Sequence, residues 1–219
     1  MYVSTKYKLP NFTVMIGDAK PTVDGLELHM QVNHLGHFLL TLLLEENLKN
    51  AADKENSDVR IINVSSDGHK FTMKKGLDID DPKFGKQEWE YTGYFKYHRY
   101  YGQSKLAQIY FTKELAQRYK NITSYSLHPG AVNTEILRDH KPGLGSIFTF
   151  MAENGLRLFG KTPREGAQTT IFCCVDEDVK KDSGEFFVDC AKVNIFPWLK
   201  DERKQKLLWD VSKKLVNLD

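Results

Sequence analysis

The chain has 219 residues, 41% of them hydrophobic and 27% charged, with a formal net charge of +2. That length is most simply one domain, residues 1–219, with enough apolar content for a sizeable core, and so small a charge excess argues against nucleic acid as a partner. No apolar run reaches the roughly 18 to 20 residues of a membrane-spanning helix, and Met1-Tyr2-Val3-Ser4-Thr5-Lys6 lacks the apolar region of a secretory signal.

In chain order, Phe12 to Ile16 is a short apolar run that could form a strand. Asp24 to Leu48 carries Leu26, Met30, His34, Phe38 and Leu42 at helical spacing, with Asp24 as N-cap and Glu27 completing a capping box. Val59 to Val64 is β-branched and ends in Ser65-Ser66, so it reads as a buried strand. Asp67 to Arg99 is polar, aromatic and glycine-interrupted, and reads mostly as loop. Tyr100 to Tyr119 is a long helix. Ser124 to His128 is a strand stopped by Pro129-Gly130. Gly143 to Phe159 is apolar and aromatic, broken by Gly155. Pro163 to Val175 reads as a helix capped by Thr162, Glu185 to Asp189 as a short strand, and Asp201 to Val216 as a final helix with Leu207, Leu208, Val211 and Leu215 on one face.

Strands separated by helices predict an α/β fold with a parallel sheet. Ligands in such sheets gather beyond the carboxyl ends of the strands, where Ser65-Ser66 and His128-Pro129-Gly130 both lie. Cys173, Cys174 and Cys190 have no metal-ligand spacing and read as reduced thiols. Asn11-Phe12-Thr13, Asn63-Val64-Ser65 and Asn121-Ile122-Thr123 match the glycosylation pattern by chance.

Tyr101-Gly102-Gln103-Ser104-Lys105 puts a phenol and an amine four apart on one helix face. A tyrosine with a pKa of about 10 exchanges protons poorly at neutral pH. A neighbouring ammonium favours the phenolate and makes the group a usable acid or base. Tyr2 and Lys6 have the same spacing, so the spacing alone decides nothing. Context distinguishes the second pair. Asn63-Val64-Ser65-Ser66 ends the strand before it, and His128 to Glu135 follows the strand after it. Val32-Asn33-His34-Leu35-Gly36-His37-Phe38 lies in the helix before both.

This ordered set resembles the short-chain dehydrogenase/reductase family. Thr22 to Glu27 leading into Val32 to Thr41, Phe187-Val188-Asp189-Cys190 and Leu208-Trp209-Asp210-Val211-Ser212 are similar to the retinol dehydrogenases and their WW-domain oxidoreductase relative. The likeness spans residues 20 to 217. It implies a Rossmann-like doubly wound parallel sheet and hydride transfer between a nicotinamide cofactor and a lipophilic alcohol, aldehyde or ketone. The implied cofactor is NADP, with NAD left open. Tyr101 would be the acid or base, and Lys105 would lower its pKa and hold the nicotinamide ribose. Ser66, with Ser65 as the fallback, would bind the substrate oxygen. Asn33 would hold a water near the lysine. Pro129, Gly130 and Thr134 would join Asn33, Tyr101 and Lys105 around the cofactor. Residues 143–162, including Ile147 to Met151, would form the substrate loop. The resemblance also implies the cytoplasmic side of a membrane, with association with the endoplasmic reticulum, peripheral membrane contact and homo-oligomers left open.

Simpler readings stand beside these. His34 and His37, three apart and without a third ligand, read as packing residues, and no metal is expected. Family members begin with a strand and a glycine-rich turn, Thr-Gly-x-x-x-Gly-x-Gly, that cradles the pyrophosphate. Residues 1–19 diverge from that pattern and from the Asn-Asn-Ala-Gly motif. The sheet is therefore expected to lack its first strands, to show a bare edge and to bind cofactor weakly. The alternative function is an inactive truncated fragment or a protein-interaction module.

Overall fold

The computed structural model describes residues 2–3, 13–15, 21–80, 94–132 and 160–218. In chain order these hold β1 (Tyr2–Val3), α1 (Leu28–Met30), a π-helical turn (Gln31–Leu35), α2 (Gly36–Leu43) and α3 (Glu45–Ala52). They continue with β2 (Arg60–Val64), a 3-10 helix (Asp67–Lys75), α4 (Tyr94–Arg118) and β3 (Thr123–His128). The last elements are α5 (Pro163–Gly166), α6 (Gln168–Val175), β4 (Phe186–Val188), β5 (Ala191–Val193) and α7 (Glu202–Leu215), with short 3-10 turns at Asp178–Asp182 and Pro197–Leu199.

One sheet runs in the order β1-β2-β3-β4-β5. Its centre is parallel: Ile62 sits opposite Tyr125, and Leu127 opposite Phe187. Both outer strands are antiparallel, so the sheet is mixed rather than wholly parallel. Among the described residues β1 pairs with Ile61 and Ile62, and covers part of the edge that the sequence reading leaves bare. β5 returns from β4 through Asp189 and Cys190, both at positive φ, which makes a tight hairpin too short to read as a separate strand.

Helices cover both faces. On one, Leu106, Ile109 and Tyr110 of α4 pack with Met30, Phe186, Leu199 and Leu208. Phe38 of α2, Phe111 of α4 and Trp209 of α7 form an adjoining cluster with Ile61. On the other face, Ile62, Tyr125, Leu127 and Phe187 meet Cys173 of α6. Arg60 is buried at the start of β2. Its guanidinium donates to Asp58 and to the carbonyls of Cys173 and Asp176, satisfying the carboxyl end of α6.

Caps follow local chemistry. Thr162 and Glu165 form a reciprocal capping box at α5, and Asp201 accepts from the Lys204 amide at α7. At α1 the cap is Glu27, whose carboxylate accepts from the Met30 amide, and not Asp24, which takes the Gln31 side chain instead. Asp67 to Lys75 is helical rather than loop, and α4 starts six residues before the expected Tyr100. Thr13 to Met15 is not a strand. The aromatic run 147–151 lies outside the described residues.

Candidate active site

Three elements converge at the carboxyl ends of β2 and β3. The two serines after β2 face different ways. The Ser65 hydroxyl is buried and donates to the Lys105 carbonyl at 2.7 Å, tying the strand end to α4. Ser66 is half-buried, and its Oγ accepts from the Gly68 amide at 3.0 Å. The Tyr101 ring and the same hydroxyl both border Gly68, and the nearby hydroxyl favours the phenolate.

Tyr101 is buried, and loss of solvation pushes its phenol above the ordinary tyrosine value despite the nearby Ser66 hydroxyl. Lys105 lies one turn along α4 with its Nζ 5.5 Å from the centre of the tyrosine ring. Its side chain is 1% exposed, and burial lowers its pKa to about 7. The sequence expectation was a phenol lowered by a full ammonium. In this chain burial outweighs that effect: it raises the phenol and brings the amine to the point of losing its own charge. Among the described residues Nζ donates to the Val64 carbonyl at 3.1 Å and to Thr13 Oγ1 at 3.3 Å.

Asn33 sits in the π-helical turn, a local widening common at functional positions. Its side-chain amide clasps the backbone of one residue: Oδ1 accepts from Val14 N at 2.8 Å, and Nδ2 donates to Val14 O at 3.0 Å. Nδ2 also donates to Ser104 Oγ on α4 at 3.0 Å. The Asn33 carbonyl accepts from the Gln108 amide and from His37 Nδ1. Asn33 therefore links residues 13–15, α2 and α4. Burial holds His34 at a pKa of about 3 and His37 at about 4, so both are neutral imidazoles. His34 bonds Ser212 and packs on Phe38 and Phe111.

Pro129 and Gly130 are half-buried beyond β3. Gly130 has φ of +91°, and the aliphatic stem of Lys161 crosses it, with the Lys161 ammonium paired to Asp189. Thr134 lies outside the described residues.

Several supporting residues carry no sequence motif. Gly68 presses on the phenol: a β-carbon there would stand 2.7 Å from Tyr101 Cε1 and 3.4 Å from Ser66 Oγ. Gly102 meets the Gly68 carbonyl, where a β-carbon would stand at 2.6 Å. His29 is fully buried, edge-on to Tyr101 at 6.2 Å between ring centres. Its Nδ1 bonds the Glu27 carboxylate at 2.7 Å. The two-residue step from Glu27 to His29 is the only trace of that pair in the sequence. Thr13, which reaches Lys105 from 92 positions away, leaves none.

The arrangement can hold a substrate oxygen between a serine hydroxyl and a tyrosine phenol, with a cation beneath. No family model matches the chain. It is 39% identical to retinol dehydrogenase 11 of Mus musculus over 95% of this chain and 60% of that protein. It is 37% identical to retinol dehydrogenase 12 of Homo sapiens with the same coverage. It thus spans about 60% of the length of these curated relatives. The crystal structure of an uncharacterized protein from Mycobacterium paratuberculosis shares its fold, with a TM-score of 0.61 at 23% identity over 94% of this chain and 64% of that one. The chain is thus similar in sequence to the retinol dehydrogenases along nearly its whole length.

Proposed function

We propose that this chain carries the reaction centre of an oxidoreductase that interconverts a lipophilic alcohol and its aldehyde or ketone, using NADP or NAD. The observation that carries the reading is Lys105 Nζ 5.5 Å from the centre of the Tyr101 ring, whose edge borders Gly68 together with the Ser66 hydroxyl. Its resemblance to retinol dehydrogenases 11 and 12 supports the substrate class.

A nicotinamide, when bound, supplies or takes the hydride. The ribose half of the cofactor suits Lys105, whose ammonium has three N–H donors and two described acceptors. Pro129, Gly130 and Thr134 would flank the nicotinamide. In the reducing direction Ser66 donates to the carbonyl oxygen and steadies the charge that develops there. Tyr101 gives its proton to the same oxygen. The raised phenol pKa keeps Tyr101 protonated but makes it a weaker acid, so both directions need Lys105 charged to stabilise the phenolate. Asn33 holds Val14 and α4 in register and, by family likeness, a water near the lysine. Residues 143–162 would cover the substrate. Contact with a membrane surface on the cytoplasmic side and self-association belong to the same reading. Among the described residues, no helix is long and apolar enough to cross a membrane.

The test is NADPH consumption with a long-chain aldehyde. The native chain should turn over and Tyr101→Phe should not; equal rates would refute the assignment. A second reading, a non-catalytic binding module, is favoured by the way residues 13–15 engage both Asn33 and Lys105. Wild-type chain without turnover at saturating NADPH would favour it.

A further inference from the structure

We infer that Thr13 determines whether a ligand's vicinal diol can reach Lys105. An ammonium offers three N–H donors and no acceptor. Val64 takes one at 3.1 Å and the Thr13 hydroxyl another at 3.3 Å. Both contacts are longer than the roughly 2.7 to 2.9 Å of strong charge-assisted bonds, so this buried cation is loosely served by the acceptors around it. A diol presents two oxygens and needs two donors. With Thr13 in place, one N–H remains beyond these two acceptors among the described residues. The hydroxyl is not there by chance of rotation alone, because the Asn33 amide bonds both the N–H and the C=O of the next residue, Val14, and fixes where residue 13 stands.

Removing the hydroxyl has two effects on binding. It frees a second N–H, and it leaves the buried ammonium short of an acceptor, a cost that a ligand oxygen then relieves. Thr13 is thus a specificity-determining residue: its side chain stands in for one hydroxyl of the ligand. The inference rests on the proposed role of Lys105 at a ribose, and it concerns that half of the ligand only.

The probe is reduced nicotinamide mononucleotide, which has the ribose and the ring without the adenosine half. Calorimetric titrations of the 219-residue chain are run at pH 6, where the Lys105 ammonium is charged. Thr13→Ala should bind about tenfold more tightly than the native chain, the scale of one charge-assisted hydrogen bond. Thr13→Ser keeps the hydroxyl and should match the native chain. The gain should vanish in the Thr13→Ala, Lys105→Met double variant. Thr13→Gly serves as the second variant if Thr13→Ala fails to fold by circular dichroism. Equal affinity of the native chain and the hydroxyl-less variant, whether both bind or neither does, would overturn the inference. So would a gain that survives Lys105→Met. The two readings fail separately: if Tyr101→Phe abolishes turnover while Thr13 variants bind alike, only the role of Thr13 is lost. If Thr13→Ala tightens binding while Tyr101→Phe keeps full activity, only the catalytic reading is lost.

Discussion

The two faces of the sheet are built from different chemistry. Toward α4 the strands present Asn63, Ser65 and Ser124. Each is hydrogen-bonded into that helix: Asn63 to Thr112 Oγ1, Ser65 to the Lys105 carbonyl and Ser124 to the Thr112 carbonyl. Toward α6 they present Ile62, Tyr125, Leu127 and Phe187. Apolar contact is strong but non-directional, and it tolerates small slides. Hydrogen bonds hold a helix at one rotation and one height. The face that carries Tyr101 and Lys105 thus adds these directional bonds to its own apolar clusters, and they hold α4 at the site.

Four substitutions separate those roles, beginning with the largest effect. Tyr101→Phe should lower turnover by about 10²- to 10⁴-fold, the range for a general acid, with little change in melting temperature. A melting temperature that falls with the rate would mean the phenol is chiefly structural. On the apolar face, Phe187→Ala should cost about 3 to 5 kcal/mol in urea unfolding, because it empties a fully packed site. The surviving folded fraction should keep its specific activity; a parallel loss would show that the two faces are not separable.

Lys105 gives an effect that depends on pH. Its folded pKa is lowered to about 7, so above that value the unfolded chain binds more protons than the folded one. Stability should therefore rise with pH from about 7 toward the ordinary lysine value, and the cost of burying the cation is full below 7. Lys105→Met should be more stable than the native chain in acid, with the gap closing as pH rises. A constant gap from pH 6 to 9 would show the amine is not desolvated as described. The smallest effect is Asn63→Ala, about 1 kcal/mol for its bond to Thr112. A drop in turnover larger than that stability change implies, measured on folded protein, would show α4 shifting at the site. No such drop would weaken the case for directional bonds as the positioning device.

What could be read from sequence follows the range of the interaction. β2 and β3 announce themselves by β-branched and apolar runs, and the cap at Thr162 by the proline that follows it. Tyr101, Lys105 and Ser66 stand out through an ordered set of short motifs. β1 and β5 are too short to show a period, and their antiparallel pairing depends on partners elsewhere. The π-helical turn breaks helical spacing inside a run that otherwise reads as regular. Asp24 and Glu27 both suit a cap, and which one serves depends on tertiary placement: Asp24 is drawn off by Gln31. Thr13 was unreadable because its partner is a distant lysine, and Gly68 because its value is the absence of a side chain.

That absence has its own consequence. The gap between the serine hydroxyl and the phenol is set by main-chain atoms of Gly68 and Gly102 lying nearly flush, not by either reacting group. One added methyl at either glycine would act as a shim, prying the helix from the turn by a fraction of an ångström. Under the proposed chemistry, proton transfer is steeply sensitive to such spacing, so turnover would be retuned from two glycines that have no side chain to react.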